Sequence, residues 1–272
     1  MRMRLESAAV TRIETYFNDT KISSATGFFY QFGDEVSLVT NWHVLSGRNA
    51  ITTSCIHPHA AIPNRISFNI NIYDKEEHTI DFRHEEHFIS SAENDLWESH
   101  KGYDSDTGEH RIVDIAMIRM SRILPDFDDI RGKIISIPSL MILNRDLTES
   151  SPAIPRVGSD VFILGYPRGI PIQGALPIWK RGSVASEPLF NALDNSPVIL
   201  IDAITREGMS GAPVLYFGEE VSAVDGTPAW VEAGKPWLIG IYAGREGSTG
   251  AEIEMTLGRA WKRQLLDDMF FY

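Results

Sequence analysis

An all-β chain of two packed β-barrels closed by a C-terminal α-helix is the architecture this sequence predicts, and three observations predict it. The apolar residues fall in short runs of strand length, at 36–40, 66–73 and 198–204 among others. Glycine and proline turns separate those runs. Helical periodicity is almost absent until the end, where Leu257, Trp261, Leu265 and Met269 share one helical face with Lys and Arg opposite. A chain of 272 residues suffices for one large all-β domain, or for two small ones sharing an interface.

Residues 7–16 alternate loosely and fit a strand or a short helix. From Thr26 the pattern sharpens: Thr26-Gly27-Phe28-Phe29-Tyr30-Gln31-Phe32 is aromatic and β-prone, Gly33-Asp34-Glu35 is a turn, and 36–40 returns as a strand. This is a hairpin. Asn41-Trp42-His43-Val44-Leu45-Ser46-Gly47 follows it. Ile66, Phe68, Ile70 and Ile72 then alternate with polar residues, as a half-exposed strand requires. Residues 74–110 are polar and acidic and read as surface loop with short strand pieces. Residues 111–118, Arg-Ile-Val-Asp-Ile-Ala-Met-Ile, read as a strand with one carboxylate inside it. The stretch 136–156, with Pro138, Pro152 and Pro155, looks like a connection between halves. The second half opens at Val157 with Phe162-Ile163-Leu164-Gly165-Tyr166-Pro167, and strands follow at 178–185, 198–204, 212–217 and 237–242. The last segment, 257–269, reads as a terminal amphipathic helix.

Bulk composition narrows the function. The chain is 43% hydrophobic and 23% charged, with 25 basic against 37 acidic residues and a net charge of −12. That balance disfavours a nucleic-acid footprint or a polybasic membrane contact, both of which need clustered Lys and Arg. Cys55 is the single cysteine, so no internal disulfide forms, and a reducing, cytoplasmic setting is expected. The start lacks the apolar core of a signal peptide, and no run of about eighteen apolar residues occurs, so no membrane span is expected. His84-Glu85-Glu86-His87 has neither of the spacings that zinc helices use, so no metal and no cofactor are expected.

Three residues stand out against that background. Ser210 sits between glycines in Arg206-Glu207-Gly208-Met209-Ser210-Gly211-Ala212-Pro213, a tight turn flanked by two apolar strands. Such a turn pushes a hydroxyl out of the surface and leaves room for a substrate backbone. A serine hydroxyl needs a base within hydrogen-bond reach, usually a histidine held in one tautomer by a carboxylate. Of the eight histidines, His43 alone follows an apolar strand at the edge of a core. Asp114 lies in an apolar run, where a carboxylate is costly unless paired. Taken singly, each has a plain structural reading: a glycine turn, a satisfied core histidine and a structural ion pair.

Together they carry a resemblance. Thr40-Asn41-Trp42-His43-Val44 resembles the catalytic-histidine motif of the trypsin/chymotrypsin-like serine peptidases. Asp114-Ile115-Ala116-Met117 is similar to their aspartate strand, and Gly208-Met209-Ser210-Gly211-Ala212-Pro213 to their nucleophile loop, in the family's order His, Asp, Ser. The likeness extends to Gly27-Phe28-Phe29 and to Trp237-Leu238-Ile239-Gly240-Ile241. Without disulfides or a secretion signal, the chain looks most like the intracellular bacterial members. The resemblance implies two six-stranded antiparallel barrels, with an N-terminal barrel over 1–135, a connector over 136–157, a C-terminal barrel over 158–256 and a closing helix over 257–272.

It also implies roles. His43 would take the proton of Ser210 and return it to the leaving amine, and Asp114 would orient His43. Backbone N–H groups of Gly208 and Ser210 would form the oxyanion hole. The primary specificity pocket would have Ile204 and Thr205 at its base and Tyr242, Ala243, Gly244 and Arg245 along its wall. No carboxylate stands there to select Lys or Arg, so small apolar or polar side chains are expected. The family's aspartate before the serine is Met209 here, so no ion pair with a newly cut amino terminus can form, and no propeptide is implied. The implied partners are a protein or peptide substrate and a regulatory protein. A latent or inactive double barrel that binds proteins under a partner's control is the alternative reading.

Overall fold

The computed structural model describes residues 4–271 except 91–94, 140, 144–149, 153, 173–174, 193, 223–227, 231–233 and 246–256. The ambiguous start contains both kinds of element. One helical turn, α1 (Leu5–Ala8), leads into β1 (Val10–Phe17). β2 (Thr20–Phe32) pairs antiparallel with β1, and the predicted hairpin returns through Gly33, with φ +59°, into β3 (Glu35–Thr40). The chain then enters α2 (Trp42–Ser46), which Gly47 terminates in the left-handed conformation that closes helices.

The first half continues through β4 (Arg65–Asp74), β5 (Thr79–Phe88) and β6 (Glu98–Ser99), then a small ribbon of β7 (Tyr103–Asp104) and β8 (His110–Arg111). β9 (Ala116–Arg119), the turn α3 (Phe127–Ile130) and β10 (Ile137–Pro138) complete it. The sheet runs β5-β4-β1-β2-β3-β9-β6, with β10 parallel to β2. Its two ends approach through the Ser90–Asp95 bridge and the bond from Leu96 N–H to Ile89 O, so the eight-stranded sheet forms an open barrel. Ile13, Phe29, Leu38, Phe68 and Ile118 fill the inside.

A short ladder of β11 (Met141–Leu143) and β12 (Ser150–Pro152) follows. The second barrel is closed, in the order β13-β14-β15-β20-β19-β16. Its strands are β13 (Asp160–Gly165), β14 (Ile178–Val184), β15 (Val198–Asp202) and β16 (Pro213–Tyr216), then, after the ribbon β17 (Glu220–Ser222) and β18 (Pro228–Trp230), β19 (Trp237–Arg245) and β20 (Leu257–Lys262). Helix α4 (Arg263–Asp268) ends the described fold. Among the described residues no helix is long and apolar enough to cross a membrane.

The halves meet over one apolar cluster that includes Val10, Phe28, Tyr30, Leu164, Tyr166, Ile241, Trp261 and Leu266. This explains the unbroken run Phe28-Phe29-Tyr30. Phe29 faces the first barrel's interior while Phe28 and Tyr30 face the second, so the strand is buried on both sides and cannot alternate. Tyr30 also donates its hydroxyl to Asp267 Oδ1 at 2.5 Å, tying α4 to the first half.

Three sequence readings need correction. The segment 74–110 holds β5, a full strand. At an edge with few buried positions, it is held by its backbone ladder to β4, so it shows no apolar alternation. The segment 111–118 is not one strand, since β9 begins at Ala116 and Asp114 lies in its approach. The closing helix does not span 257–272. Residues 257–262 form β20, which closes the barrel against β15 and β19, and the helix begins at Arg263. Trp261 is buried by strand pairing, and its four-residue spacing from Leu257 and Leu265 is not a helical face.

Candidate active site

His43 is the second residue of α2, just beyond β3. Because β3 pairs with β9 in the register Thr40 to Ala116, the approach to β9 lies opposite the start of α2. Asp114 therefore faces His43, and both its oxygens are used on that residue. Oδ1 accepts the His43 backbone N–H at 2.8 Å, and Oδ2 lies 2.7 Å from Nδ1. A carboxylate only accepts, so Nδ1 carries the proton and Nε2 is left as the ring's acceptor. Asn41 Nδ2 donates to the Asp114 carbonyl at 2.7 Å and fixes the backbone beneath. Burial works against the His43 cation, but the charge of Asp114 and its hydrogen bond outweigh it and hold the His43 pKa above its ordinary value.

The serine turn is clamped on both sides. Met209 is fully buried in the second barrel's core, with its Sδ against Gly165. Gly208 (φ +90°) and Gly211 (φ +83°) both occupy left-handed backbone. A Cβ at Gly208 would collide with the Tyr166 carbonyl, and one at Gly211 with Thr26 O and Thr40 Oγ1. Thr26 ties this turn to the first half: its N–H donates to Ser210 O at 2.9 Å and its hydroxyl to Gly208 O at 2.7 Å. The same hydroxyl accepts from Tyr166 N–H at 3.1 Å, and Thr40 Oγ1 donates to Thr26 O at 2.8 Å. The serine turn thus rests on the strand pair that ends in His43. On its other side Gly211 N–H donates to Tyr242 O, and Tyr242 N–H to Ala212 O, both at 2.8 Å.

The Glu207 carbonyl accepts from Arg168 N–H at 2.6 Å. In a trans peptide N–H and C=O point oppositely, so the Gly208 N–H is directed away from the 167–169 turn. Among the described residues neither Gly208 N–H nor Ser210 N–H meets a protein acceptor. Two unpaired donors beside a half-buried serine can bind a developing oxyanion.

The residues expected around the specificity pocket separate into two groups. Thr205 and Tyr242 are buried together, with the Tyr242 phenol hydrogen-bonded to Thr205 Oγ1, and the ring covers Gly258, where a Cβ would strike it. Ile204 instead points outward at 58% exposure. Ala243 and Gly244 are half-buried, and the side chain of Arg245 lies outside the described residues. Thr26, Thr40 and Asn41 stand in stretches the sequence singles out, but their hydrogen bonds to the serine turn, to Thr26 and to Asp114 are not readable there. Their only signal was position, since they adjoin Gly27 and His43. Among the described residues no group of three or more His, Cys, Asp or Glu is placed to hold a metal ion.

A family model described as a trypsin-like peptidase domain matches residues 25–224. Among solved structures, the chain is similar to an inactive serine-to-alanine mutant of Rv3671c from M. tuberculosis H37Rv, at 16% identity and a TM-score of 0.43, covering 98% of this chain and 86% of that one. It is similar to a serine endoprotease from Yersinia pestis, at 14% identity and a TM-score of 0.47, covering 98% of this chain and 62% of the other. An HtrA-type protease, AlgW, solved with a tripeptide, matches at 15% identity and a TM-score of 0.46, over 97% of this chain and 60% of its own. No curated protein matches the sequence.

Proposed function

The chain belongs to the trypsin-like peptidase family, and on that premise we propose that it is a serine endopeptidase acting through Ser210, His43 and Asp114. The observation that carries this is the double grip of Asp114 on His43, through ring and backbone, which leaves Nε2 as a base of fixed tautomer. Ser210 Oγ attacks the scissile carbonyl carbon while its proton passes to His43 Nε2. The carbonyl oxygen becomes an oxyanion that accepts from Gly208 and Ser210 N–H. The C–N bond then breaks, and His43 gives its proton to the leaving amine. Water, deprotonated by His43, attacks the acyl-enzyme, and Ser210 Oγ leaves with the proton. Asp114 stays ionised and stabilises the imidazolium.

Met209 seats the nucleophile turn in an apolar core, where the turn needs no ion pair with a cleaved amino terminus. The preferred residue before the scissile bond carries a small apolar or polar side chain, because Tyr242 and Thr205 occupy the space at the pocket base.

Peptide-library digestion with cleavage sites read by mass spectrometry tests the proposal. Defined cuts by the wild type, reduced about 10⁶-fold in Ser210→Ala, are expected. Equal cutting by both proteins refutes it. No cutting by either favours the binding-module reading.

A further inference from the structure

We propose that Arg12, on the first barrel, is a positioning residue that latches the oxyanion-binding peptide of the second; this inference rests on the peptidase reading above. It starts from the turn 166–169, which lies against the serine loop. Arg168 holds φ +55° and Gly169 φ +69°, so two consecutive residues occupy left-handed backbone. Glycine adopts that conformation freely, but an arginine does so only where neighbours compel it. No side chain fits at residue 169 without pressing on Ser24 Oγ, a buried hydroxyl that has no partner of its own.

What compels the turn is visible in its bonds. Gly169 N–H closes onto Tyr166 O at 2.8 Å. The Gly169 carbonyl accepts from Arg12 NH1 at 3.0 Å, across the interface between the halves. The Arg12 guanidinium is aimed by Glu14, whose Oε1 lies 3.2 Å from NH2, and Glu14 is itself held by Lys21 at 2.6 Å and by the Tyr16 hydroxyl at 2.9 Å. Glu14 and its partners lie on β1 and the start of β2.

Among the described residues the turn reaches the Glu207–Gly208 peptide directly through one hydrogen bond, from the Arg168 N–H to the Glu207 carbonyl, while its Tyr166 N–H meets the serine loop only by way of the Thr26 hydroxyl. The Arg168 bond sets the Glu207–Gly208 peptide, and a half-turn of this peptide would replace the Gly208 N–H with a carbonyl oxygen facing the substrate. Gly208 is the residue about which such a rotation is sterically permitted. Arg12 therefore favours the productive orientation by holding Arg168 and Gly169 in a conformation they would otherwise leave. It touches no substrate. Its effect falls on transition-state binding and not on ground-state affinity.

The experiment measures two things in wild type, Arg12→Ala, Arg12→Lys and Glu14→Gln: steady-state peptide hydrolysis, and hydrogen exchange at the Arg168 and Gly208 amides. In Arg12→Ala, kcat is expected to fall at least about tenfold, toward the ~10²–10³-fold loss of a missing oxyanion donor, with KM within about twofold. The Arg168 amide loses protection in the same variant. Arg12→Lys, which keeps a cationic donor group but not the planar fork that reaches Gly169 O and Glu14 together, recovers part of both signals, and Glu14→Gln loses part of both. Unchanged kcat and unchanged Arg168 protection in Arg12→Ala overturn the latch, as does a rise in KM alone. If Arg12→Ala fails to fold, the lysine and glutamine variants decide by the same criteria. If the wild type hydrolyses nothing, the peptidase reading fails, and the Arg168 exchange rate still decides the latch.

Discussion

Replacing Asp114 with asparagine probes the site with almost no change of shape. The wild-type carboxylate accepts twice from His43, from the backbone N–H and from Nδ1. Asparagine offers one acceptor and one donor, so it cannot serve both. If its oxygen keeps the backbone N–H, its NH2 group faces Nδ1 and forces the proton onto Nε2, where it blocks uptake from Ser210. If it turns over, its oxygen serves Nδ1, but the NH2 opposes the His43 backbone donor. That leaves a buried N–H unpaired, at a cost of about 1–3 kcal/mol. Either way the imidazolium formed during turnover loses its counter-charge. Together these effects are expected to lower kcat by about 10³–10⁴-fold, the scale known for this change in trypsin-like enzymes and equivalent to ~4–5.5 kcal/mol of barrier. The assay is steady-state hydrolysis of a fluorogenic peptide across pH, with a thermal melt to confirm folding. A kcat within about threefold of wild type refutes the double-grip argument.

Four further outcomes follow from the same geometry. The Asp114 charge raises the His43 pKa, and the base must be neutral, so kcat/KM is expected to climb with pH through an apparent value above the ordinary histidine pKa of about 6.5. In Asp114→Asn that limb moves to lower pH; an unshifted limb separates His43 from the titration. Gly208→Ala places a Cβ against the Tyr166 carbonyl at φ +90°, so activity is expected to fall at least ~10²-fold, and normal turnover would show that the turn can move aside. Tyr242→Ala vacates the space beside Thr205 and is expected to shift preference toward Leu or Phe before the scissile bond by about 10- to 200-fold, read from paired kcat/KM values; an unchanged preference removes Tyr242 from the pocket. Tyr30→Phe takes the hydroxyl from the buried Asp267 and is expected to cost ~1–3 kcal/mol, measured by denaturant unfolding, whereas an unchanged midpoint would show that this bond adds nothing to the hold on α4.

The parts of this molecule that were legible in its sequence are those written in local patterns. His43, Asp114 and Ser210 each sit in a short motif whose residue types answer to local demands. Gly208 and Gly211, for instance, are glycines because their φ values and close backbone neighbours exclude a side chain. The hairpin of β2 and β3 was legible for the same reason, with its turn at Gly33. What escaped is set by distant partners. β5 buries few residues and owes its form to β4, so its own composition resembles loop. β20 carries spacing that suits a helix, but β15 and β19 leave an open position in the barrel that only a strand can fill. Thr26 joins the serine turn across more than 180 residues of chain, through its hydroxyl and backbone. Arg12 reaches Gly169 over a comparable separation. Nothing near either residue in sequence announces these bonds.

The central claim is that Ser210 is a nucleophile activated by His43. It is tested most directly by treating the folded protein with a fluorophosphonate and locating the adduct by mass spectrometry. The expected result is one stoichiometric adduct on Ser210 in the wild type, with labelling nearly abolished in His43→Ala. No adduct, an adduct elsewhere, or equal labelling of Ser210 without His43 would contradict it.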